Sequence, residues 1–159
     1  MGVSVGDLAP DFTLEGTMDS KTTLSSFRGH GSVVLVFYPV DDTLGWTRQL
    51  SALRDDKAKF DAVKASIFGI NPGSMSSHKK FTEKYSFNFP LLVDKDRIVA
   101  AQYGALKENG TSIERSVCIV DQEGKVTYAQ KGMPSDEELL DALKTWRFVL
   151  VFPHKYMWG

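Results

Sequence analysis

The chain has 159 residues, enough for about one domain with a real hydrophobic core. Hydrophobic residues make up 42% and charged residues 25%, and 19 basic against 20 acidic side chains leave a net charge of −1. That mixed balance excludes the basic footprint of a nucleic-acid binder or of a protein drawn to anionic membranes. No apolar run approaches the roughly 18 residues of a membrane span. The stretch from Met1 to Asp11 has neither the basic nor the apolar segment of a secretory signal, so a cytoplasmic protein is expected. Cys118 is the sole cysteine, which excludes an intrachain disulfide and a multi-thiolate metal site. His30, His78 and His154 are far apart and read as surface or packing residues, so neither a metal nor a cofactor is expected.

In chain order, the N-terminal segment carries few strand signals. Ser32 to Tyr38 is a continuous β-branched and aromatic run, the pattern of a strand buried on both faces, and Pro39 ends it. Asp41 and Asp42 read as a solvated turn. A helical pattern follows from about Thr47 to Val63, with Leu50, Leu53, Ala58 and Phe60 as its apolar stripe and Arg54 to Lys59 on its outer face. Ser66 to Asn71 reads as a second strand, stopped by Pro72 and Gly73. Ser76 or Ser77 caps a short helix from His78 to Tyr85, with Phe81 and Tyr85 on one face. Phe89 to Val93 is a further strand, and Asp96 opens a helix that runs through Tyr103 and stops at Gly104. Arg115 to Val120 and Lys125 to Gln130 form a hairpin across Asp121 to Gly124. A last helix opens at Pro134 or Ser135, with Glu137 and Glu138 in its first turn and Leu139, Leu140 and Leu143 toward the core. Strands alternating with helices, closed by a hairpin and a helix, predict an α/β domain with a mixed sheet covered on both faces.

Several motifs carry a resemblance. They are the opening Gly6 to Leu14 with Ala9, Pro10 and Phe12, then Leu24 to Gly29, then the run Pro39-Val40-Asp41-Asp42-Thr43-Leu44-Gly45-Trp46. Downstream lie Leu53 to Asp55, Asn88 to Asp94 with Pro90, and Arg115 to Asp121. In this order and spacing the chain resembles the peroxiredoxins of the AhpC/TSA type, in the peroxiredoxin Q (bacterioferritin comigratory protein) subgroup. The likeness implies a thioredoxin-like fold, a peroxide substrate, a thioredoxin-type reductant and an antioxidant role. It also implies that the loop from Pro39 corresponds to the family's Pro-x-x-x-Thr-x-x-Cys loop, with Trp46 at the peroxidatic cysteine position.

By that resemblance Thr43 orients the peroxide, Arg115 stabilises the thiolate and the leaving oxygen, and Pro39 shields the site from water. The resolving cysteine that many subgroup members carry five residues on is Ser51 here, and the loop's usual second proline is Leu44. An indole offers one N–H donor and no thiolate, and it is large enough to fill a peroxide-sized pocket. Taken without the resemblance, Thr43 reads as a helix cap, Arg115 as a surface or salt-bridged arginine and Trp46 as a packing residue. Cys118 shares its strand with Arg115, but side chains alternate, so Arg115, Val117 and Ile119 share one face and Cys118 takes the other.

The domain is expected to cover residues 1–147, followed by an atypical apolar tail over 148–159. Phe148 to Phe152 in that tail is a β-type run, expected to pack as an added strand or dimer contact, so the protein is a monomer or a homodimer. Three functions stay open: a degenerate peroxiredoxin without cysteine-based peroxidase activity; an active thiol peroxidase, through Cys118 or as a variant of a parent with cysteine at position 46; and a non-redox scaffold or chaperone-like oligomer.

Overall fold

The computed structural model of the protein describes residues 2–151. Seven strands form one sheet: β1 (Thr13–Gly16), β2 (Ser20–Thr23), β3 (Ser32–Phe37), β4 (Ala65–Asn71), β5 (Leu91–Val93), β6 (Ser116–Val120) and β7 (Val126–Lys131). Their order across the sheet is β2-β1-β5-β4-β3-β6-β7. Strand β3 pairs in parallel with β4 and antiparallel with β6, and β4 pairs in parallel with β5, so the sheet is mixed. Among the described residues five α-helices connect and cover it: α1 (Leu44–Asp55), α2 (Lys57–Ala62), α3 (Met75–Tyr85), α4 (Ile98–Gln102) and α5 (Asp136–Val151). Among the described residues no helix is long and apolar enough to cross a membrane.

The alternation of β3 divides the core. Val33, Leu35 and Phe37 face one side, where they meet Phe12, Leu92, Val99, Tyr103 and Cys118. Val34, Val36 and Tyr38 face the other, where Leu50, Leu53, Phe60, Phe81 and Leu139 cover them. Both sets are almost wholly withdrawn from water, as an apolar run without polar breaks requires. Aromatic rings pack edge-on within the second cluster, with Phe81 against Phe87 at 4.8 Å and against Tyr85 at 5.5 Å.

Four expectations are corrected. The N-terminal segment holds a hairpin, β1 with β2, whose turn uses Met18 and Asp19 in left-handed conformation (φ 62° and 50°). Neither residue is glycine or asparagine, so the usual turn signal is missing from the sequence. The helix expected from Thr47 to Val63 starts earlier and breaks at Asp56, which leaves helical geometry and donates its N–H to Ala52. Leu50, Leu53 and Phe60 are buried as the stripe required, whereas Ala58 is exposed. Caps shift as well. Ser74 rather than Ser76 or Ser77 caps α3, accepting from the Ser77 N–H at 3.1 Å, and Asp94 rather than Asp96 accepts from the Val99 and Ala100 N–H groups that start α4. Finally, α5 extends to Val151, so residues 148–151 are helical and not an added strand. Once the helix has nucleated, each further residue adds a hydrogen bond without a new nucleus, which offsets the modest helix propensity of Phe148, Val149 and Val151. The dimer contact expected of the tail falls outside the described residues.

Asp136, at the start of α5, lies against Asp56 at the α1–α2 junction. Burial, then the hydrogen bond and charge of Asp56, push the Asp136 carboxyl up to about 7. The folded chain therefore holds a proton that the unfolded chain releases above about pH 4, and stability falls as pH rises through that window. Asp136→Asn is expected to gain stability relative to the parent at pH 8 but not at pH 4, measured by urea unfolding at both pH values. A second test addresses the core beneath α1: Leu50→Ala, at a fully buried position, is expected to lose about 2–5 kcal/mol in the same assay.

Candidate functional site

The site forms where β3 ends. Pro39 stops the strand and is half-buried, and the chain then turns through Asp42, which is left-handed with φ 56°. Thr43 returns to extended geometry (φ −113°, ψ 136°) and stands at the N-cap of α1, its carbonyl accepting from the Thr47 N–H at 2.9 Å. Its side chain makes no capping bond, so the hydroxyl of this exposed residue is left available at the helix N-terminus. That differs from the cap its position alone suggests.

Trp46 lies in the first turn of α1, half-buried against the cluster that contains Leu50 and Val117. Arg115 precedes β6 directly, and its guanidinium carbon sits 4.5 Å from the centre of the Trp46 ring. Such a cation–π contact contributes roughly 0.5–2 kcal/mol. The indole N–H is inaccessible to solvent and has no partner among the described residues. The ion pairs among those residues are Arg54–Asp55, Lys57–Asp61, Lys59–Asp56, His78–Asp41 and Lys84–Asp42, and the Arg115 side chain packs instead on an aromatic face. The structure thus brings Thr43, Trp46 and Arg115 to one end of the sheet, beside Pro39. Ser51 is half-buried on α1, about 140° around the helix from Trp46.

Cys118 takes the other face, as alternation along β6 requires. It pairs with Leu35 on β3 and Ala129 on β7 and packs in the cluster of Phe37 and Tyr103, whereas Val117 and Ile119 lie in the cluster that Trp46 joins. Burial pushes its thiol up to about 12. Among the described residues no group of three or more potential ligands is placed to hold a metal ion.

Asp41 corrects the reading of a solvated turn. Its side chain is only 5% exposed and turned inward, where its carboxylate meets His78 at 2.7 Å. Burial pushes this carboxyl up, but hydrogen bonds from His78 and Ser77, the charge of His78 and a bond from Tyr38 outweigh it and hold the group below the usual carboxylate range. Sequence spacing offers no sign of this contact, because the partners come from 36 and 37 residues further on. Asp42 does face solvent, where Lys84 and Tyr85 donate to it at 2.7 and 2.8 Å.

With this geometry in place, likeness to known proteins settles the class. The profile of the AhpC/TSA family matches residues 5–129. The chain belongs to that family, and its relatives place it in the peroxiredoxin Q and bacterioferritin comigratory protein subgroup. It is 34% identical over 151 residues to peroxiredoxin Bcp of Bacillus subtilis, covering 91% of this chain and 96% of that one. Over 127 residues it is 39% identical to the chloroplastic peroxiredoxin Q of Oryza sativa subsp. japonica, covering 79% of this chain but 58% of the longer plant protein. Among solved structures, peroxidoxin BcpB of Mycobacterium tuberculosis superposes with a TM-score of 0.81 at 31% identity, covering 89% of this chain and 96% of that one. The fold is accordingly thioredoxin-like, as the resemblance implied.

Cys118 yields a direct test. With its thiol near 12, about one molecule in ten thousand carries the thiolate at pH 8. The native protein is expected to release no thionitrobenzoate from Ellman's reagent over an hour, and one equivalent after unfolding in guanidinium chloride.

Proposed function

We propose that this chain is a peroxiredoxin Q-type protein without cysteine-based peroxidase chemistry, in which Trp46 occupies the position of the peroxidatic cysteine. The observation that carries the reading is the stack of Trp46 beneath Arg115, with ring centre and guanidinium carbon 4.5 Å apart. In the family's reaction a thiolate attacks one peroxide oxygen, the O–O bond breaks, and the leaving oxygen departs as an alcohol or water while sulfur becomes a sulfenic acid. Arg115 and Thr43 would serve that step by stabilising charge and orienting the peroxide, and Pro39 by excluding water. The indole supplies no sulfur to oxidise and fills the space in front of the cation. Ser51 cannot form the disulfide that a resolving cysteine forms. Cys118 lies on the opposite face of the sheet with its thiol held protonated, so the route through that residue has no support.

On this reading residues 1–147 form the peroxiredoxin domain, and what persists is the scaffold with a capped pocket, suited to binding or assembly. A peroxide substrate and a thioredoxin-type reductant belong to the family's reaction; without a sulfenic acid or disulfide, a reductant has nothing here to reduce.

The test is peroxide consumption with dithiothreitol as reductant. The parent is expected to consume no peroxide above the buffer rate, and Trp46→Cys to gain turnover, since cysteine restores the nucleophile beside Thr43 and Arg115. Adding Arg115→Ala to Trp46→Cys is expected to lower that turnover by about a hundredfold. Turnover by the parent would overturn the reading; an inert Trp46→Cys chain would show that more than the nucleophile has been lost.

A further inference from the structure

We infer that Asp41 and His78 are positioning residues, a buried pair that ties the loop carrying Pro39 and Thr43, and with it the start of α1 and Trp46, to α3 and β5. The inference rests on the reading of this loop as the functional site, but not on whether peroxide is turned over there.

Four side-chain donors from three parts of the chain converge on the Asp41 carboxylate. The Tyr38 hydroxyl and the Asn71 amide donate to Oδ1 at 2.7 and 3.2 Å, and the Ser77 hydroxyl and His78 Nδ1 lie 2.6 and 2.7 Å from Oδ2. A carboxylate has about four lone-pair sites, so this one is filled. The His78 ring is fully buried, and its Nε2 lies 3.0 Å from the Leu92 carbonyl, which can only accept. Nε2 therefore donates to that carbonyl, and Nδ1 lies against the Asp41 carboxylate, so the ring bridges the loop to β5.

The turn after β4 closes tightly on the pair. Asn71 Oδ1 accepts from the Gly73 N–H at 2.7 Å, and a Cβ at Gly73 would lie 2.9 Å from that oxygen and 3.2 Å from the His78 ring. By contrast, the ties made by Asp42 are exposed, with Asp42 and Lys84 side chains 43% and 58% accessible, and so are weakened by solvent. Removing either member of the inner pair leaves an uncompensated charge or an unpaired donor in the interior, whereas removing an outer tie leaves groups that water can satisfy. The inner pair is thus what fixes the loop, and Trp46 lies five residues beyond its anchor at Asp41.

Trp46 itself reports the outcome. Trp146→Phe and Trp158→Phe leave it as the single emitter, and its accessibility to acrylamide is measured in this background. Asp41→Asn and His78→Gln are expected to keep the far-ultraviolet circular dichroism of the folded chain, shift Trp46 emission to the red and raise its quenching constant about twofold or more, as the loop opens locally. Asp42→Asn is expected to leave both unchanged. Ser77→Ala, which removes one of the four donors, is expected to remain folded with a smaller rise. Unchanged quenching in folded Asp41→Asn and His78→Gln would overturn the inference, as would an equal rise in Asp42→Asn. If those two inner variants fail to fold, unchanged quenching in Ser77→Ala overturns it. Because the readout is Trp46 emission, its failure is distinct from any result of the peroxide assay.

Discussion

Strand β3 is buried on both faces and paired on both edges, and the rest of the molecule is arranged around that constraint. From Val33 to Phe37 the strand lies between β4 and β6, and each side chain enters one of two apolar layers. The chain leaves this position at Pro39 at the centre of the sheet rather than at its rim. The loop that follows is consequently bordered by the ends of β4 and β6 and by α3. That is how Arg115, 69 residues beyond Trp46 in sequence, comes to rest on its ring.

Much of this was legible in the residues themselves. Ser32 to Tyr38 reads as a doubly buried strand because no polar side chain interrupts it, and alternation along β6 separates Cys118 from Arg115 without any structure. The β1–β2 hairpin was illegible because Met18 and Asp19 adopt left-handed geometry that their side chains do not advertise. Asp41 was misread for a different reason: polarity marks a residue as solvated only when no interior donors await it, and the donors here arrive from α3 and the end of β4. Apolar tails such as 148–151 read equally as strand or helix when short, and the preceding helix decided between them.

The stack of Trp46 and Arg115 joins two requirements that usually conflict. A half-buried guanidinium wants an anion or water, and a large ring wants an apolar enclosure. The aromatic face gives the cation a partner without bringing a second charge out of water, while the ring edge stays in the core with Leu50 and Val117. On the proposed reading, a site of this kind needs no thiolate to keep its arginine in place.

The two margins of the sheet are finished differently from its centre. Strand β2 spans four residues, Ser20 to Thr23, each with a hydroxyl or an ammonium. At the other margin, Gly6 donates to the Val126 carbonyl and Val126 to the Asp7 carbonyl, so the N-terminal segment lies over the beginning of β7, while Gln130 and Lys131 leave its far end polar and exposed. Neither margin offers a long apolar backbone template, so the polar side chains that make these edges also discourage unselective strand addition from another molecule.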